Sequence, residues 1–244
     1  MLDCRSLSEG RTIMISSIPS LDTINKVQYI YDCEAFSRAL PVEISISPSY
    51  EKINAHHVVQ VHGDQIVETS DQTDVNSSSR PEADGLVSQA AGEAIAIKTA
   101  DCLPVLFWSK HLCAALHAGW RGLTNGIIDN FLQTYKHEND LKALLGPCIS
   151  PSNFEVGPEV ISSFINGSPY LNHEQIASCV TKGFQDKWYL DMKSVTIHKL
   201  IHRGIPPQNI FSMPICTYAN CEWPSYRRQG KSSHRILSQI TLKK

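Results

Sequence analysis

Three short apolar runs, following one another near the middle of the chain, constrain its fold more than any other feature. Gly92 precedes Ala94-Ile95-Ala96-Ile97-Lys98-Thr99; Val105-Leu106-Phe107-Trp108 comes next, and then Leu112 to His117. Aliphatic and β-branched blocks of this length read as buried strands. Links of only a few residues favour neighbouring strands, partly in antiparallel pairing. Val58-Val59-Gln60-Val61-His62 reads as a strand running into a turn at Gly63, and Ala143-Leu144-Leu145 as a strand closed by Gly146-Pro147. Ile210 to Met213 and Ile236 to Leu242 supply late strands.

Helical spacing alternates with these runs. Leu123, Ile127, Ile128 and Phe131-Leu132 predict a helix over residues 123–136. A second is expected from Val156 to Phe164, with Pro158 in its first turn. A third is capped by Asp191, runs to about Arg203 and stops at Gly204. Residues 69–84 are polar and read as a surface loop, while the first fifty residues carry only short apolar runs such as Thr12-Ile13-Met14-Ile15. Because the two periodicities interleave irregularly, the expectation is α+β: mixed, largely antiparallel sheets packed in layers with flanking helices.

Composition removes several functional classes. The 244 residues carry a net charge of −2, without the basic footprint of a nucleic-acid binder. No run is long and apolar enough for a membrane span. Met1-Leu2-Asp3-Cys4-Arg5 lacks the features of an export signal, so a cytoplasmic location is expected. The eight cysteines are then expected to be reduced. Cys4, Cys33, Cys113 and Cys179 read as small buried hydrophobes. A single domain over residues 1–244 accounts for the length.

Chemistry concentrates in three strings: Gln60-Val61-His62-Gly63, Thr99-Ala100-Asp101-Cys102-Leu103-Pro104, and His117-Ala118-Gly119-Trp120-Arg121-Gly122. Each places polar side chains at a strand end, where a rigid sheet can present them from a loop. Singly, a histidine or a cysteine is more often a structural residue. Together, two imidazoles and a thiolate form a donor set that zinc accepts, and three protein ligands leave a fourth position open. An open site of this kind is catalytic, because the ion acidifies water toward neutrality. The pattern is not a zinc finger, since Cys216 and Cys221 have no further ligand pair near them. A metal-free reading uses the same residues: Cys102 as nucleophile and His117 as its base.

These strings resemble the YfiH-type family, whose members have been named polyphenol oxidase (laccase-like), peptidoglycan editing factor and purine nucleoside phosphorylase. Further stretches match in order: Glu82-Ala83-Asp84-Gly85, Leu145-Gly146-Pro147-Cys148-Ile149, Phe154-Glu155-Val156-Gly157, Tyr189-Leu190-Asp191-Met192, Cys216-Thr217-Tyr218 and Ser225-Tyr226-Arg227-Arg228. The match spans roughly residues 58–242, leaving 1–57 as a divergent N-terminal segment of the same domain. Residue by residue, the resemblance implies metal ligands at His62, Cys102 and His117. Two departures concern substrate contacts. The family's glycine-rich N-terminal loop and Ser-Leu-Asn-Leu string are reduced here to Pro19-Ser20-Leu21-Asp22, and its closing Gly-Arg-Met string to Ser233-His234-Arg235-Ile236.

The resemblance further implies phosphorolysis of adenosine, inosine and methylthioadenosine, together with adenosine deamination. Its partners would be a nucleoside and phosphate, with a monomer and a dimer both left open. On that chemistry Asp101 is a candidate proton shuttle, the alternative being a turn or capping carboxylate. Arg121 and Arg228 are candidates to hold phosphate or ribose, against a role in structural ion pairs. Trp120 is a candidate to stack on a base, against packing in the core. Cys148 is expected near the site without being a ligand, and Glu155 to anchor a neighbouring loop.

The laccase name implies copper. With ten histidines the chain has no His-x-His pair, and none of its four methionines adjoins the motifs. Copper is therefore expected only in place of zinc, which it can displace on affinity. Two rivals remain: a Cys–His amidase that edits cell-wall precursors, and a copper-dependent polyphenol oxidase. A non-enzymatic binding module ranks below both, since the signal lies in clustered polar groups and not in an apolar patch.

Overall fold

In the computed structural model, residues 26–50, 53–71 and 80–244 are described. The Thr12 to Ile15 run, Cys4, Pro19 to Asp22 and the middle of the polar 69–84 stretch lie outside the described residues. Two sheets carry the architecture. The larger contains strands β1 (Gln28–Tyr29), β3 (Ile66–Glu68), β4 (Gly85–Ser88), β6 (Leu103–Trp108), β7 (Cys113–Ala118), β8 (Lys142–Leu145) and β12 (Ile210–Ser212). Their order is β1-β12-β8-β6-β7-β4-β3, with antiparallel pairing at the centre and parallel pairs at both ends. A smaller antiparallel sheet runs β2 (Val42–Ser47), β13 (Ile236–Leu242) and β5 (Ala94–Thr99).

Central β6 is buried along its whole length, which explains why its sequence is a continuous apolar run without alternation. Its period of two still sorts the side chains. Leu106 and Trp108 face the smaller sheet, in a core shared with Ile44, Ile95, Ile97 and Ile240. Val105 and Phe107 face the helices, in a core with Ile127, Phe131 and Leu200. The result is helices, large sheet and small sheet in layers, which is the expected α+β class.

One pairing departs from expectation. β5 does not lie beside β6 in the same sheet; it belongs to the smaller one. Residues 100–102 therefore carry the chain from one layer to the other. Residues 58–62 form no strand either, only a bridge between Val59 and Glu82. Gln60 replaces the missing ladder with its side chain: Nε2 donates to the Lys98 carbonyl at 2.7 Å, and Oε1 accepts the Lys98 amide at 2.8 Å.

The helix expected over 123–136 is divided in two at Gly126, whose φ of 101° only glycine adopts readily. The pieces are α2 (Trp120–Asn125) and α3 (Ile127–Thr134), while α1 (Cys33–Ser37) packs near β2. Helix α4 (Pro158–Asn166) begins at its proline and not at Val156, because Glu155–Val156 is β9, paired with β11 (Trp188–Leu190). β10 (Val180–Lys182), preceded by α5 (His173–Cys179), completes that third sheet. Asp191 caps α6 (Met192–His202) as expected, accepting the amides of Lys193 and Ser194 at 3.0 and 3.1 Å. Among the described residues, no helix is long and apolar enough to cross a membrane. Cys33, Cys113 and Cys179 are buried and unbridged.

A buried polar group locks α3 to α6. Lys199 is wholly buried, and its Nζ donates to Asp129 Oδ2 at 2.9 Å; Tyr170 and Arg203 donate to Asp129 Oδ1 at 2.6 and 2.8 Å. Burial alone would push the Asp129 carboxyl up; Tyr170, Lys199 and Arg203 outweigh it and hold it below its usual value. Asp129→Asn leaves Lys199 uncompensated and is expected to cost about 3–5 kcal/mol at neutral pH, read by denaturant unfolding. The wild-type advantage should shrink as pH falls through the carboxylate range, since a depressed carboxyl stabilises only while it is ionised.

Candidate metal centre

The register of β6 against β7 builds half of the site. Pro104 pairs with His117 and Leu103 with Ala118, so Cys102, just before β6, comes opposite Gly119, just after β7. Gly119 is required there by space: a Cβ on it would lie 3.0 Å from Cys102 Sγ and 3.6 Å from His62 Cδ2. Gly122 serves the same approach one turn on, where a Cβ would meet the Gly63 carbonyl oxygen at 2.8 Å. The two glycines of the His-Ala-Gly-Trp-Arg-Gly string thus let α2 close over the His62 loop.

His62, Cys102 and His117 converge, with one ligand atom from each lying within 4.8 Å of the others. The two imidazoles meet edge to face, 4.7 Å between centroids. A tetrahedral zinc with ordinary Zn–N and Zn–S bonds needs its ligand atoms about 3.3–3.6 Å apart, which small side-chain adjustments supply. His62 is exposed, Cys102 partly buried and His117 buried, so the trio opens toward solvent on the His62 side. Among the described residues, no other group of three or more such side chains could hold an ion.

Two non-glycine residues here adopt left-handed backbone: His62, with φ of 62°, and Asp101, with φ of 82°. Such conformations cost about 1–3 kcal/mol each and persist where surroundings hold them. Asp84 holds the first. Its carboxylate is fully buried and accepts His117 Nδ1 at 2.7 Å and the amides of Val61, His62 and Gly63 at 3.2, 3.0 and 2.6 Å. Burial would raise the Asp84 carboxyl, but these donors, His117 first, hold it low. In the sequence Asp84 stands only as a member of the Glu82-Ala83-Asp84-Gly85 string; an acid just before a strand carries no signal that amides some twenty residues earlier will turn to meet it.

Other candidates are placed differently. Asp101 spends its carboxylate on the loop opposite: Oδ1 accepts from the Thr217 hydroxyl at 2.6 Å, Oδ2 from the Ser225 hydroxyl at 3.0 Å and the Arg227 amide at 2.6 Å. That is the capping alternative and not a free proton shuttle. Arg228 is likewise committed, donating to the Thr217 carbonyl at 2.8 Å and the Trp223 carbonyl at 2.6 Å, and to Tyr218 as well. Its guanidinium clamps the loop of residues 217–223. Trp120 packs against the helical core, with the Arg121 guanidinium 4.4 Å from its ring centroid. Arg121 is exposed; its carbonyl accepts the Thr124 hydroxyl at 2.9 Å, and its guanidinium lies over the Trp120 ring. Cys148 is buried, and burial pushes its thiol up to about 12, as suits a packing residue. Glue between loops comes from the Glu155 carbonyl, which accepts Arg227 Nη2 at 3.0 Å.

Burial alone would raise the Cys102 thiol, but His117 and His62 more than offset it and hold it at about 6. For His117, burial works downward, while Asp84 and the Cys102 thiolate lift it to about 9. The metal-free centre is thus a thiolate beside an imidazolium near neutral pH.

Residues 44–243 match the family described as multi-copper polyphenol oxidoreductase laccase. A protein of Shigella flexneri named purine nucleoside phosphorylase YfiH is 37% identical over 188 residues, covering 75% of this chain and 72% of its own. Another of that name, from Escherichia coli, is 35% identical over 187 residues, with 75% and 72% covered. The crystal structure of a hypothetical protein YfiH from Bacillus licheniformis superposes with a TM-score of 0.71 at 26% identity, covering 77% of this chain and 74% of that one.

Zinc needs a neutral imidazole, so binding between about pH 6 and 9 should expel about one proton, from His117. Apparent affinity should then rise about tenfold per pH unit across that window. Calorimetry in buffers of different ionisation enthalpy checks this; a heat independent of buffer would contradict it. Gly119→Val should sharply weaken zinc binding in dialysed protein, because a Cβ there would already stand 3.0 Å from Cys102 Sγ and crowd the thiolate out of place.

Proposed function

The chain belongs to the family described as multi-copper polyphenol oxidoreductase laccase, and on that footing we propose that it is a zinc-dependent enzyme of purine nucleosides. It splits adenosine, inosine and methylthioadenosine with phosphate, and it deaminates adenosine. The observation that carries this reading is the convergence of His62, Cys102 and His117 into one open trio. The names of the bacterial relatives support the substrate class.

Fit favours zinc. Two imidazoles and a thiolate are its ordinary donors, and the trio leaves one side free. When bound, the ion supplies a Lewis acid that acidifies water and polarises oxygen. The chain's own residues do the rest. His117 is held by Asp84, and His62 stands at the solvent side. Arg121, two residues past Gly119 and stacked on Trp120, is the cation left to hold phosphate, since Arg228 is spent on carbonyls. Phosphorolysis forms a bond from a phosphate oxygen to the ribose carbon while the bond to the base breaks, and Arg121 offsets charge on the incoming anion.

The low thiol and raised imidazole also fit a metal-free Cys–His dyad. One experiment separates the readings. Purified protein is assayed for base, ribose 1-phosphate and inosine after incubation with adenosine and phosphate, with and without chelator. Turnover should fall at least about 100-fold on chelation or in His62→Ala and return with zinc. Turnover that survives both would favour the dyad, and failure to turn over any nucleoside would overturn the purine reading.

A further inference from the structure

Asp84 touches two of the three residues of the trio, and neither contact is incidental. Its Oδ1 lies 2.7 Å from His117 Nδ1 and 3.0 Å from the His62 amide; Oδ2 takes the amides of Gly63 and Val61. Its main-chain carbonyl accepts the His117 amide at 2.7 Å. Three consecutive amides curling round one anion form a nest, and a fully buried carboxylate is the anion that fills it. Curling those amides forces His62 to its φ of 62°, which aims its imidazole toward Cys102. An ionised carboxylate only accepts, so the His117 Nδ1 must carry the hydrogen.

We propose that Asp84 is the positioning residue of the metal centre: one carboxylate fixes His117 as the Nδ1–H tautomer, leaving Nε2 for the ion, and holds His62 in its left-handed conformation. It presets two ligands from one point, so the centre exists in shape before the ion arrives. A carboxylate behind a ligating imidazole also raises that ligand's basicity. The inference rests on the zinc reading of the trio and on nothing about the nucleoside.

Asp84→Asn keeps the side chain's size but turns an N–H₂ group toward N–H donors. Zinc affinity, measured by competition with a chromophoric chelator, should weaken about 10–100-fold. The visible spectrum of the cobalt-substituted protein should shift as ligand geometry relaxes. Unchanged affinity together with an unchanged cobalt spectrum would sink the proposal. Should the variant fail to fold, the wild type decides: long-range ¹⁵N–¹H correlation of the zinc-loaded protein is expected to show His117 protonated at Nδ1. Protonation at Nε2 would overturn it. A wild type that binds zinc normally but turns over no nucleoside overturns only the purine reading. One that binds no zinc removes both.

Discussion

The register between the two central strands of the large sheet decides where the chemistry can be. A slip of one residue would move His117 by about 3.3 Å and turn it to the opposite face. The native register is held because β6 and β7 are buried on both faces, with Phe107 and Leu116 committed to the helices and Leu106 and Ala115 to the small sheet. Any slip would drive one core's side chains into the other. Packing specificity in the middle of the strands therefore becomes positional precision at their ends, where Cys102 and His117 meet. The imidazole and thiolate are neighbours because the aliphatic residues have one good arrangement.

That arrangement leaves two backbone problems at the rim. The chain must leave the small sheet and enter the large one within three residues, and it must bring His62 in from a segment that pairs with almost nothing. Both are met by left-handed residues tied down through buried carboxylates. Asp101 reaches across to Thr217, Ser225 and the Arg227 amide, and Asp84 gathers the amides around His62. Each is acid at one end and rigid donor at the other, so local strain is offset by charge-assisted hydrogen bonds that exist nowhere but in the folded state. The same ties join the last quarter of the chain to the site.

Much of this was legible in the sequence, for reasons that differ by element. β6 and β7 are legible because burial on both faces demands near-continuous apolar runs, and β5 because its middle, Ile95 to Ile97, is buried too. The Asp191 cap and the stop at Gly204 were readable because capping is local, set within three or four residues. The donor types of the trio were readable as chemistry. What was hidden depended on distant partners. Residues 58–62 have the composition of a strand, yet Asp84 claims their amides and Gln60 ladders with its side chain instead. Helix 123–136 reads as continuous until Gly126 takes a positive φ. Arg228 looks like an anion holder in sequence and is a loop clamp in space, because the carbonyls of residues 217–223 turn toward it. Asp101 went the same way.

The crowding around Cys102 bears on whether the thiolate acts as ligand or nucleophile. A nucleophilic sulfur needs an open approach for a carbon at bonding distance, along a direction not taken by its activators. Here His62 and His117 both lie within 4.8 Å of it, and the Gly119 backbone seals another side closely enough that a Cβ would stand 3.0 Å away. A single ion would fit where the two imidazoles and the sulfur converge, and the exposed His62 side would stay open. The dyad also needs only one imidazole, whereas the fold invests a strained backbone and a buried carboxylate in presenting the second. A second imidazole held so firmly is hard to account for unless all three side chains share one centre.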